Sequence, residues 1–343
     1  MHGWLVIDKP VGPGSTQVVS AVKRALREGG YPKAKVGHGG TLDPLASGVL
    51  PVALGEATKL AGRMLDADKI YEFTIRVGEE TETLDGEGAV VATSDVRFTL
   101  EQVEAVLASF TGEIEQVPPA YSALKVEGKR AYALARAGEQ VEMKSRRVTV
   151  HSLKSSPERG GGPAHPVEGY QRGSEAALAE RTRKLTPLHQ PSAGPPPSLG
   201  EHFMDQVTLV ARVSKGTYIR SLARDIAHAL GTVGHVAMLR RLRAGPFTLA
   251  QAISLDNLAE LGKARELEQA LLPLTAGLDD IPALPVTPDQ ARALRQGRRL
   301  AGIAAKPGLH LATDGSVPVA LVELSGGELR PEIRVVRGFN LEE

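Results

Sequence analysis

The sequence predicts a mixed α/β fold, and three observations support this prediction. Segments of alternating or β-branched residues, typical of strands, are interspersed with segments of helical apolar spacing. The two kinds of segment do not follow the regular strand–helix period of a parallel sheet. A length of 343 residues, with 42% hydrophobic and 24% charged residues, suits one large or two ordinary globular domains.

The chain is predicted to start with a strand, a tight turn and a helix. The apolar run WLVI, residues 4–7, predicts a buried strand, and the glycines and prolines after it predict a turn. TQVVSAVKRAL then predicts a helix with Ser15 or Thr16 as its N-cap. GPGSTQ lacks the Gly-Lys-Ser/Thr ending of a P-loop and the third glycine of a dinucleotide fingerprint, so we interpret it as the turn alone.

Strand-like and helical segments alternate irregularly through the middle of the chain. KIYEFTIRVG, RRVTVHSL and DQVTLVARVS each predict a strand. TLEQVEAVLASFTG predicts an amphipathic helix with Thr99 as its N-cap and Gly112 as its stop. TYIRSLARDIAHALG predicts a helix that ends at Gly231, and its apolar face consists of Ile219, Leu222, Ile226 and Leu230.

Two stretches rich in proline and glycine mark boundaries. Residues 155–204 contain 15 prolines and glycines in 50 positions, so we expect a largely disordered insertion. LDDIPALPVTP, residues 278–288, is predicted to be a linker. After it, PDQARALRQG predicts a short helix, and PVALVEL and IRVVRGF predict strands of a small β-rich module.

Composition excludes several classes of protein. The chain has no cysteine, which excludes disulfides, thiolate metal sites and a cysteine nucleophile. Its nine histidines show no HExxH spacing, so we expect no metal site. No stretch approaches the roughly 18 apolar residues of a membrane span, and the start MHGWLVIDKP lacks the basic region of a signal peptide. We therefore expect a cytoplasmic protein.

One carboxylate lies in a segment of restricted backbone conformation, GHGGTLDPLASGVLPVALGEATKL. Asp43 precedes Pro44, which favours an extended backbone, and Gly39 and Gly40 allow a tight bend or the close approach of a ligand. Asp43 is then either a catalytic carboxylate presented by a rigid loop or the cap of its own turn. His38, taken alone, is more typical of an ordinary histidine whose hydrogen bonds are satisfied.

The formal net charge is +1, so any contact with nucleic acid must come from local clusters of basic residues. Three basic stretches stand out: Lys125, Lys129, Arg130 and Arg136; then Arg212, Lys215, Arg220, Arg224, Arg240, Arg241 and Arg243; then Arg292, Arg295, Arg298, Arg299 and Lys306. One such stretch is more typical of a solvated helix face. Three together strengthen the hypothesis of contact with phosphate groups.

Several long segments, in order along the chain, closely resemble the TruB family of tRNA pseudouridine-55 synthases. GHGGTLDPLASGVLPVALGEATKL resembles the family signature, and VIDKPVGPGSTQVVSAVKR resembles its amino-terminal motif. DKIYEFTIRVGEETETLDGEG resembles the strand with the active-site tyrosine, and QVPPAYSALKVEGKRAYALARAG resembles a lysine-rich segment. SKGTYIRSLARDIAHALG and GHVAMLRRLRAGPF resemble the segments that complete the pocket. Residues 155–204 have no counterpart in this resemblance.

The resemblance implies a domain organisation. Residues 1–280 are expected to have the pseudouridine synthase fold, an α/β (α+β) fold with a mixed, largely antiparallel sheet and flanking helices. Residues 285–343 are expected to form a PUA-like domain, a small RNA-binding β-barrel.

The resemblance also implies a reaction, the conversion of uridine 55 in the T loop of tRNA to pseudouridine. The reaction breaks the N-glycosidic bond, turns the base and joins its C5 atom to the sugar. It is redox-neutral, so we expect no cofactor. The target uridine must first leave the base stack. A carboxylate either adds to C6 of the base or acts at the C1′–C2′ edge of the ribose, and the sequence leaves both routes open.

Three residues match catalytic positions of the family. Asp43 matches the catalytic aspartate. Arg220 matches the arginine that pairs with it, which would keep the carboxylate ionised and oriented. Tyr71 matches the tyrosine that stacks on the flipped base, and it is a candidate for moving the C5 proton.

Other residues match positions that hold the RNA. His38 matches the residue that fills the space the base leaves, and Tyr218 and Leu239 match residues that line the uridine pocket. The candidates for contact with the RNA backbone come from the basic stretches: Lys125, Arg240, Arg241, Arg295 and Arg298. GPGSTQ departs from the family pattern at residues 14–17, so no functional role is assigned there.

Two other functions compete with a stand-alone tRNA enzyme. One is a non-catalytic RNA-binding or RNA-chaperone protein, but binding alone would need only the basic stretches and not Asp43, Tyr71 and Arg220. The other is a guide-RNA-dependent relative that works inside a ribonucleoprotein, but ALKVEGKRAYALARAG resembles the stand-alone type. We expect the T arm of tRNA as partner, no obligate protein partner and a monomer.

Overall fold

The structure is a computed structural model that describes residues 1–122, 124–126, 128–139, 141–156, 203–303, 305–325 and 332–341. The insertion predicted at residues 155–204 lies almost wholly outside the described residues. The chain forms two compact units. The first unit is Met1–Ala67 with Arg243–Glu343, and the second unit is Asp68–Leu242.

Strands and helices are numbered here in chain order. Strands β1 to β9 are Gly3–Lys9, Val36–His38, Ala46–Leu54, Lys69–Val77, Glu79–Thr81, Val90–Thr93, Gly112–Gln116, Lys125–Val126 and Lys129–Arg130. Strands β10 to β18 are Arg146–Ser155, Gln206–Val213, Gly234–Ala244, Phe247–Thr248, Ala283–Pro285, Leu300–Ala301, Gly308–Asp314, Val317–Leu324 and Glu332–Gly338. Helices α1 to α7 are Ser15–Glu28, Ala61–Asp66, Leu100–Leu107, Ala131–Arg136, Ile219–Ala229, Leu255–Ala264 and Pro288–Arg295.

The first unit is built on the antiparallel pair β1 and β3. Their register runs from Gly3 opposite Leu54 to Lys9 opposite Gly48, and β2 pairs with the last residues of β3. Trp4 is fully buried, its indole N–H donates to the Leu274 carbonyl (3.2 Å), and its ring lies 5.1 Å from that of Phe247. The apolar run at residues 4–7 therefore forms the predicted strand because it crosses the core of this unit.

Helix α1 begins differently from the prediction. Its N-cap is Gly14, and neither Ser15 nor Thr16 caps it. The Ser15 hydroxyl is instead bonded to the backbone of Leu42, accepting from its N–H (2.8 Å) and donating to its carbonyl (3.0 Å). The Gln17 side chain accepts from the Gly14 N–H (2.6 Å) and supplies the local bond at the helix start. The predicted cap is wrong because its hydroxyl serves a long-range contact.

The carboxyl-terminal part of the first unit forms a five-stranded sheet in the order β14-β16-β17-β18-β15. Only β14 and β16 are parallel among its strand pairs described. One face packs into the core that contains Trp4, through Leu321 of β17, and the other packs with Leu294 of α7, through Val322. A strand buried on both faces requires the nearly continuous apolar run VPVALVEL. The β-rich character predicted for this region is confirmed.

Glu56 provides a pH-dependent contact in the first unit. Its carboxylate accepts from Lys59 Nζ (2.6 Å) and from the Asn340 N–H (2.7 Å). Burial by itself would raise the pKa of Glu56, but these two donors outweigh it and lower the pKa below the ordinary value of 4.5. The stabilisation is therefore present above pH 4.5 and is lost as the pH falls through the lower pKa of the folded state.

Substituting Glu56→Gln is expected to lower the free energy of unfolding by about 1 kcal/mol at neutral pH, because the charged acceptor is lost. The difference from the wild type should shrink as the pH falls below 4.5, since the wild-type carboxylate then becomes protonated. Urea unfolding at a series of pH values measures this. A difference that stays constant down to the lowest pH would contradict the assignment.

The second unit contains a sheet in the order β12-β4-β11-β10-β7, and the pairs among its last four strands are antiparallel. The strands predicted from KIYEFTIRVG, RRVTVHSL and DQVTLVARVS are confirmed as β4, β10 and β11. Helix α5 packs against β4 and buries three of the four residues of its predicted face, Ile219, Leu222 and Ile226, while Leu230 is half-buried. Within the described residues, no helix is long and apolar enough to cross a membrane.

Helix α3 begins at its predicted cap, and its helical segment ends just before the predicted stop. Thr99 is its N-cap, accepting from the Gln102 N–H (3.3 Å), while the Gln102 side chain accepts from the Thr99 N–H (2.9 Å). The α-helix ends at Leu107 and continues as a 3₁₀ turn to Phe110. Gly112, with φ of 104°, follows the helix cap Thr111 and is the first residue of β7. The helical segment therefore ends just before Gly112, as predicted, and this left-handed glycine leads the chain into the strand.

Candidate active site

Asp43 lies in the first unit, in the loop between β2 and β3, and both of its neighbours are anchored. Leu42 is held on its N–H and carbonyl by the Ser15 hydroxyl. The Pro44 carbonyl accepts from the Gly12 N–H (2.8 Å), and the Asp43 carbonyl accepts from the Ala46 N–H (3.1 Å). The loop is thus fixed on each side of a half-buried carboxylate.

Lys9 also anchors this loop. It is fully buried, and its ammonium group donates to the carbonyls of Pro10 (2.8 Å), Pro13 (2.9 Å) and Pro44 (3.2 Å). A buried cation needs several acceptors to offset its lost hydration, and three carbonyls meet that need. The proline-rich turn after β1 is therefore tied to the residue that follows Asp43. Sequence patterns do not reveal this role of Lys9, or the bond from Ser15 to Leu42, because the partners lie 35 and 27 positions away along the chain.

His38 ends β2, two residues before the bend that leads to Asp43. Its Nδ1 accepts from the Gly40 N–H (3.4 Å), and the residue is partly exposed. Each glycine is needed for a different reason. A Cβ on residue 39 would lie 2.6 Å from the Cβ of Met64, and Gly40 has a φ of 135°, which other residues rarely adopt. The first unit therefore brings His38 and Asp43 onto one constrained loop.

Arg220 lies in the second unit, as the second residue of α5, and is only 6% exposed. Its guanidinium donates to the carbonyls of Thr83 (2.8 Å) and Tyr121 (3.0 Å) and to the carboxylate of Asp85 (3.0 Å). Burying a guanidinium requires such a set of acceptors, with one of them charged. Arg220 is thus locked in orientation within its own unit.

Asp85 is the acidic partner that the sequence reasoning missed. It is 1% exposed, and its second oxygen accepts from the Thr83 hydroxyl (2.6 Å) and the Glu87 N–H (3.0 Å). Leu84 beside it has φ of 60°, a left-handed conformation that costs a leucine about 1 kcal/mol. The Leu84 carbonyl accepts from the Val236 N–H (3.1 Å), so a strained turn is held in place. The Asp-Gly pair in TLDGEG predicts this turn from the sequence, but it does not predict that the carboxylate is buried against Arg220.

Tyr121 shares this environment. Burial, followed by the charge and hydrogen bond of Glu82, raises the pKa of Tyr121 above its ordinary value. Its hydroxyl therefore remains protonated throughout the neutral range, while its backbone carbonyl accepts from Arg220.

The remaining predicted pocket residues also belong to the second unit. Tyr71 lies on β4 opposite Ala211 and is partly exposed. Tyr218 immediately precedes α5, and the guanidinium of Arg146 lies 4.7 Å from its ring centre. Leu239 lies on β12 and is buried. This unit therefore brings Tyr218 and Arg220 together at the start of one helix.

The predicted RNA-backbone residues differ in exposure. Lys125 is exposed on β8, and Arg295 and Arg298 are exposed at the end of α7 and just beyond it. Arg240 on β12 is partly exposed. Arg241 is 1% exposed, and a buried guanidinium has no surface to offer a phosphate. The predicted backbone contact therefore does not fit Arg241, which the alternation of β12 turns inward.

Comparison with known proteins finds the same family that the sequence motifs indicate. Residues 27–159 match the TruB family pseudouridylate synthase N-terminal domain, and residues 220–279 match the tRNA pseudouridylate synthase B C-terminal domain. The chain is 57% identical to the tRNA pseudouridine synthase B of Novosphingobium aromaticivorans, covering 100% of this chain and 99% of the relative. It is 54% identical to the protein of the same name from Zymomonas mobilis, covering 99% and 96%.

Solved structures show a similar fold. One is an H/ACA ribonucleoprotein bound to a substrate RNA containing 2′-deoxyuridine, with a TM-score of 0.65, 23% identity and coverage of 99% of this chain and 85% of that chain. Another is a Cbf5–Nop10–Gar1 complex, with a TM-score of 0.65, 25% identity and coverage of 98% and 84%. The mixed, largely antiparallel sheet with its helices is thus a pseudouridine synthase fold. By its family matches and its full-length relatives, the chain is an isomerase of the TruB family of pseudouridylate synthases.

Proposed function

We propose that this protein converts uridine 55 in the T loop of tRNA to pseudouridine. The observation that supports this most is the anchored loop around Asp43, in a chain 57% identical over its full length to a tRNA pseudouridine synthase B. A rigid carboxylate suits a reaction in which one group must meet one carbon atom of a flipped nucleotide.

The proposed reaction needs no other reactant. The C1′–N1 bond breaks, the C1′–C5 bond forms, the proton on C5 leaves to solvent, and N1 gains a proton. No electrons are gained or lost overall, so neither a redox cofactor nor a metal is required by the balance. The Asp43 carboxylate is the proposed nucleophile or base, acting either at C6 or at the C1′–C2′ edge of the ribose.

The other proposed roles follow the family resemblance. Tyr71 would stack on the flipped base and is the candidate for moving the C5 proton, and Tyr218 and Leu239 would line the uridine pocket. His38 would fill the space that the base leaves. Arg220 is the proposed cation for the catalytic carboxylate; the buried contacts that hold its guanidinium support a fixed role rather than a solvated one.

We further propose that residues 1–280 form the catalytic domain and residues 285–343 a PUA-like RNA-binding domain. The five-stranded sheet of the carboxyl-terminal region supports this assignment. Arg295 and Arg298 are exposed there and would contact phosphate groups, as would Lys125 and Arg240.

Reversing charge at Arg295 and Arg298 is expected to weaken tRNA binding and to raise KM more than it lowers kcat. Each lost phosphate contact should reduce the slope of log affinity against log salt by roughly 0.7–0.9. Filter binding of a tRNA transcript over a range of salt concentrations measures the slope for the Arg295→Glu, Arg298→Glu double variant.

Lys23→Glu, Arg27→Glu is the matched control for this prediction. These two residues are exposed on α1, in the same unit, and lie outside the basic stretches. The control makes the same change in net charge, so it should shift affinity slightly and leave the slope near that of the wild type. An unchanged slope in the Arg295 and Arg298 variant would show that this stretch is only a solvated face.

A guide-RNA-dependent enzyme is the principal alternative, because the solved structures of similar fold include ribonucleoproteins. At 23% identity that likeness concerns the fold alone, whereas the full-length relatives above 50% identity are named as tRNA enzymes. We therefore propose a monomer that acts on tRNA in the cytoplasm without a protein partner.

Mapping the modified position tests the specificity of the proposed reaction. Purified protein is incubated with an unmodified tRNA transcript and with the same transcript carrying cytidine at position 55, and pseudouridine is located by mass spectrometry of nuclease fragments. The first transcript should gain one pseudouridine in its T-loop fragment, and the second should gain none. Pseudouridine at another position in both transcripts would contradict the proposal.

A further inference from the structure

Gln116 makes two hydrogen bonds to the backbone of a single residue far along the chain. It is the last residue of β7 and is 1% exposed. Its side-chain oxygen accepts from the Tyr218 N–H (2.8 Å), and its side-chain nitrogen donates to the Tyr218 carbonyl (3.1 Å). A primary amide carries both a donor and an acceptor, so one side chain can pair with the N–H and the carbonyl of the same residue.

Arg146 lies directly opposite Gln116 in the sheet and contacts the ring of Tyr218. The two residues are partners in the antiparallel pair of β7 and β10. The Arg146 guanidinium lies 4.7 Å from the centre of the Tyr218 ring and also donates to the carbonyl of Gly216. Tyr218 is therefore fixed by its backbone from one strand and by its ring from the neighbouring strand.

The position of Tyr218 also sets where α5 begins. Tyr218 is the N-cap of the helix, makes no side-chain cap bond, and is followed by Ile219 and then Arg220. A change in its backbone would move the first turn of the helix, which contains Arg220. Because Arg220 is buried against fixed acceptors, a small shift there would disturb its whole set of contacts.

We propose that Gln116 is a positioning residue for the isomerisation, which acts by fixing Tyr218 and, through the start of α5, Arg220. The inference rests on the proposed function, because it assumes that these two residues serve the flipped uridine. Gln116 itself would touch no reacting atom. Its loss should therefore lower kcat far more than it weakens RNA binding, since displacement of catalytic groups by about 1 Å can cost about 10²-fold in rate.

Two variants of Gln116 separate the donor from the acceptor. Gln116→Met keeps the length of the side chain and removes both bonds, and it is expected to lower kcat by about 10²-fold with KM changed by less than about threefold. Gln116→Glu keeps the bond from the Tyr218 N–H but, when ionised, cannot donate to the carbonyl, so kcat should lie between the wild type and Gln116→Met. If the Met variant does not fold, the Glu variant decides the question by the same kcat measurement.

Thr208→Val is the matched control. The Thr208 hydroxyl is bonded to that of Thr74 (2.9 Å) in the same unit, and Thr208 is 7% exposed, so the variant also loses a buried hydrogen bond. It should lower the melting temperature comparably but leave kcat unchanged at a temperature well below both melting transitions. A folded Gln116 variant with the kcat of this control would overturn the proposal.

Hydrogen exchange distinguishes failure of this inference from failure of the proposed function. Exchange at the Tyr218 amide, followed by mass spectrometry in protein without RNA, should be faster in Gln116→Met than in the wild type and in Thr208→Val. A wild type inactive on tRNA would refute the proposed function. The exchange rates would still show whether Gln116 fixes the backbone of Tyr218. Unchanged exchange at Tyr218 would overturn the positioning role whatever the activity.

Discussion

Asp43→Asn is expected to reduce pseudouridine formation by about 10⁴-fold or more, the scale seen when a central catalytic carboxylate or nucleophile is removed. A neutral amide can neither attack carbon nor remove a proton effectively. The backbone bonds around the loop should persist, because they involve Leu42, Pro44 and Ala46 and not the Asp43 side chain. Single-turnover rates with saturating enzyme measure the chemical step directly.

Asp279→Asn is the control for this loss. Asp279 is an exposed carboxylate of the same unit, and its replacement should leave both the rate and the melting temperature unchanged. Asp43→Asn should likewise bind tRNA nearly as tightly as the wild type, because the proposed phosphate contacts come from the basic stretches. Substantial turnover by folded Asp43→Asn protein would contradict the catalytic assignment, and loss of folding would favour the role of a turn cap.

Asp85→Asn is expected to have the second largest effect, on both activity and stability. It removes the carboxylate charge that lies 3.0 Å from the buried Arg220 guanidinium, and breaking a buried pair typically costs about 3–5 kcal/mol. Turnover should fall by about 10²-fold even where the protein remains folded, because the guanidinium is no longer held in one orientation. Chemical unfolding and single-turnover rates, both taken well below the melting temperature, measure the two effects.

Asp225→Asn provides the matched comparison in the same unit. Asp225 pairs with Arg224 at 2.7 Å, but both side chains are partly exposed, and such pairs contribute about 0–1 kcal/mol. Its loss should leave turnover near the wild-type value. Equal effects of Asp85→Asn and Asp225→Asn would show that burial of the Arg220 pair has no functional consequence.

Local patterns in the sequence predict the elements whose signals are local. Thr99 and Gln102 form a capping box over three residues, and the structure contains it. Ser15 also carries a hydroxyl near the start of a helix, yet that hydroxyl bonds to Leu42, 27 positions away. A helix-capping rule compares neighbours in sequence only, so it has no means to detect that competing partner.

The candidate site shows the same division. Asp43 stands out by its proline and glycines, which act locally, but the residues that anchor its loop do so through contacts across the fold. Asp85 lies among glutamates and threonines, a composition typical of a solvated turn, and only the fold reveals its burial against Arg220. The predicted phosphate contact does not fit Arg241 for the same reason. Counting charges along a strand does not distinguish side chains that point inward from those that point outward.

The proposed isomerisation can be followed by the release of tritium from a tRNA transcript labelled at C5 of uridine and incubated with purified protein alone. Isomerisation exchanges the C5 hydrogen for the bond to the sugar, so each turnover frees one tritium to solvent. Release is expected to approach one tritium per tRNA from position 55, without added cofactor, metal, guide RNA or protein. No release from folded protein that binds the transcript would contradict the proposed isomerisation.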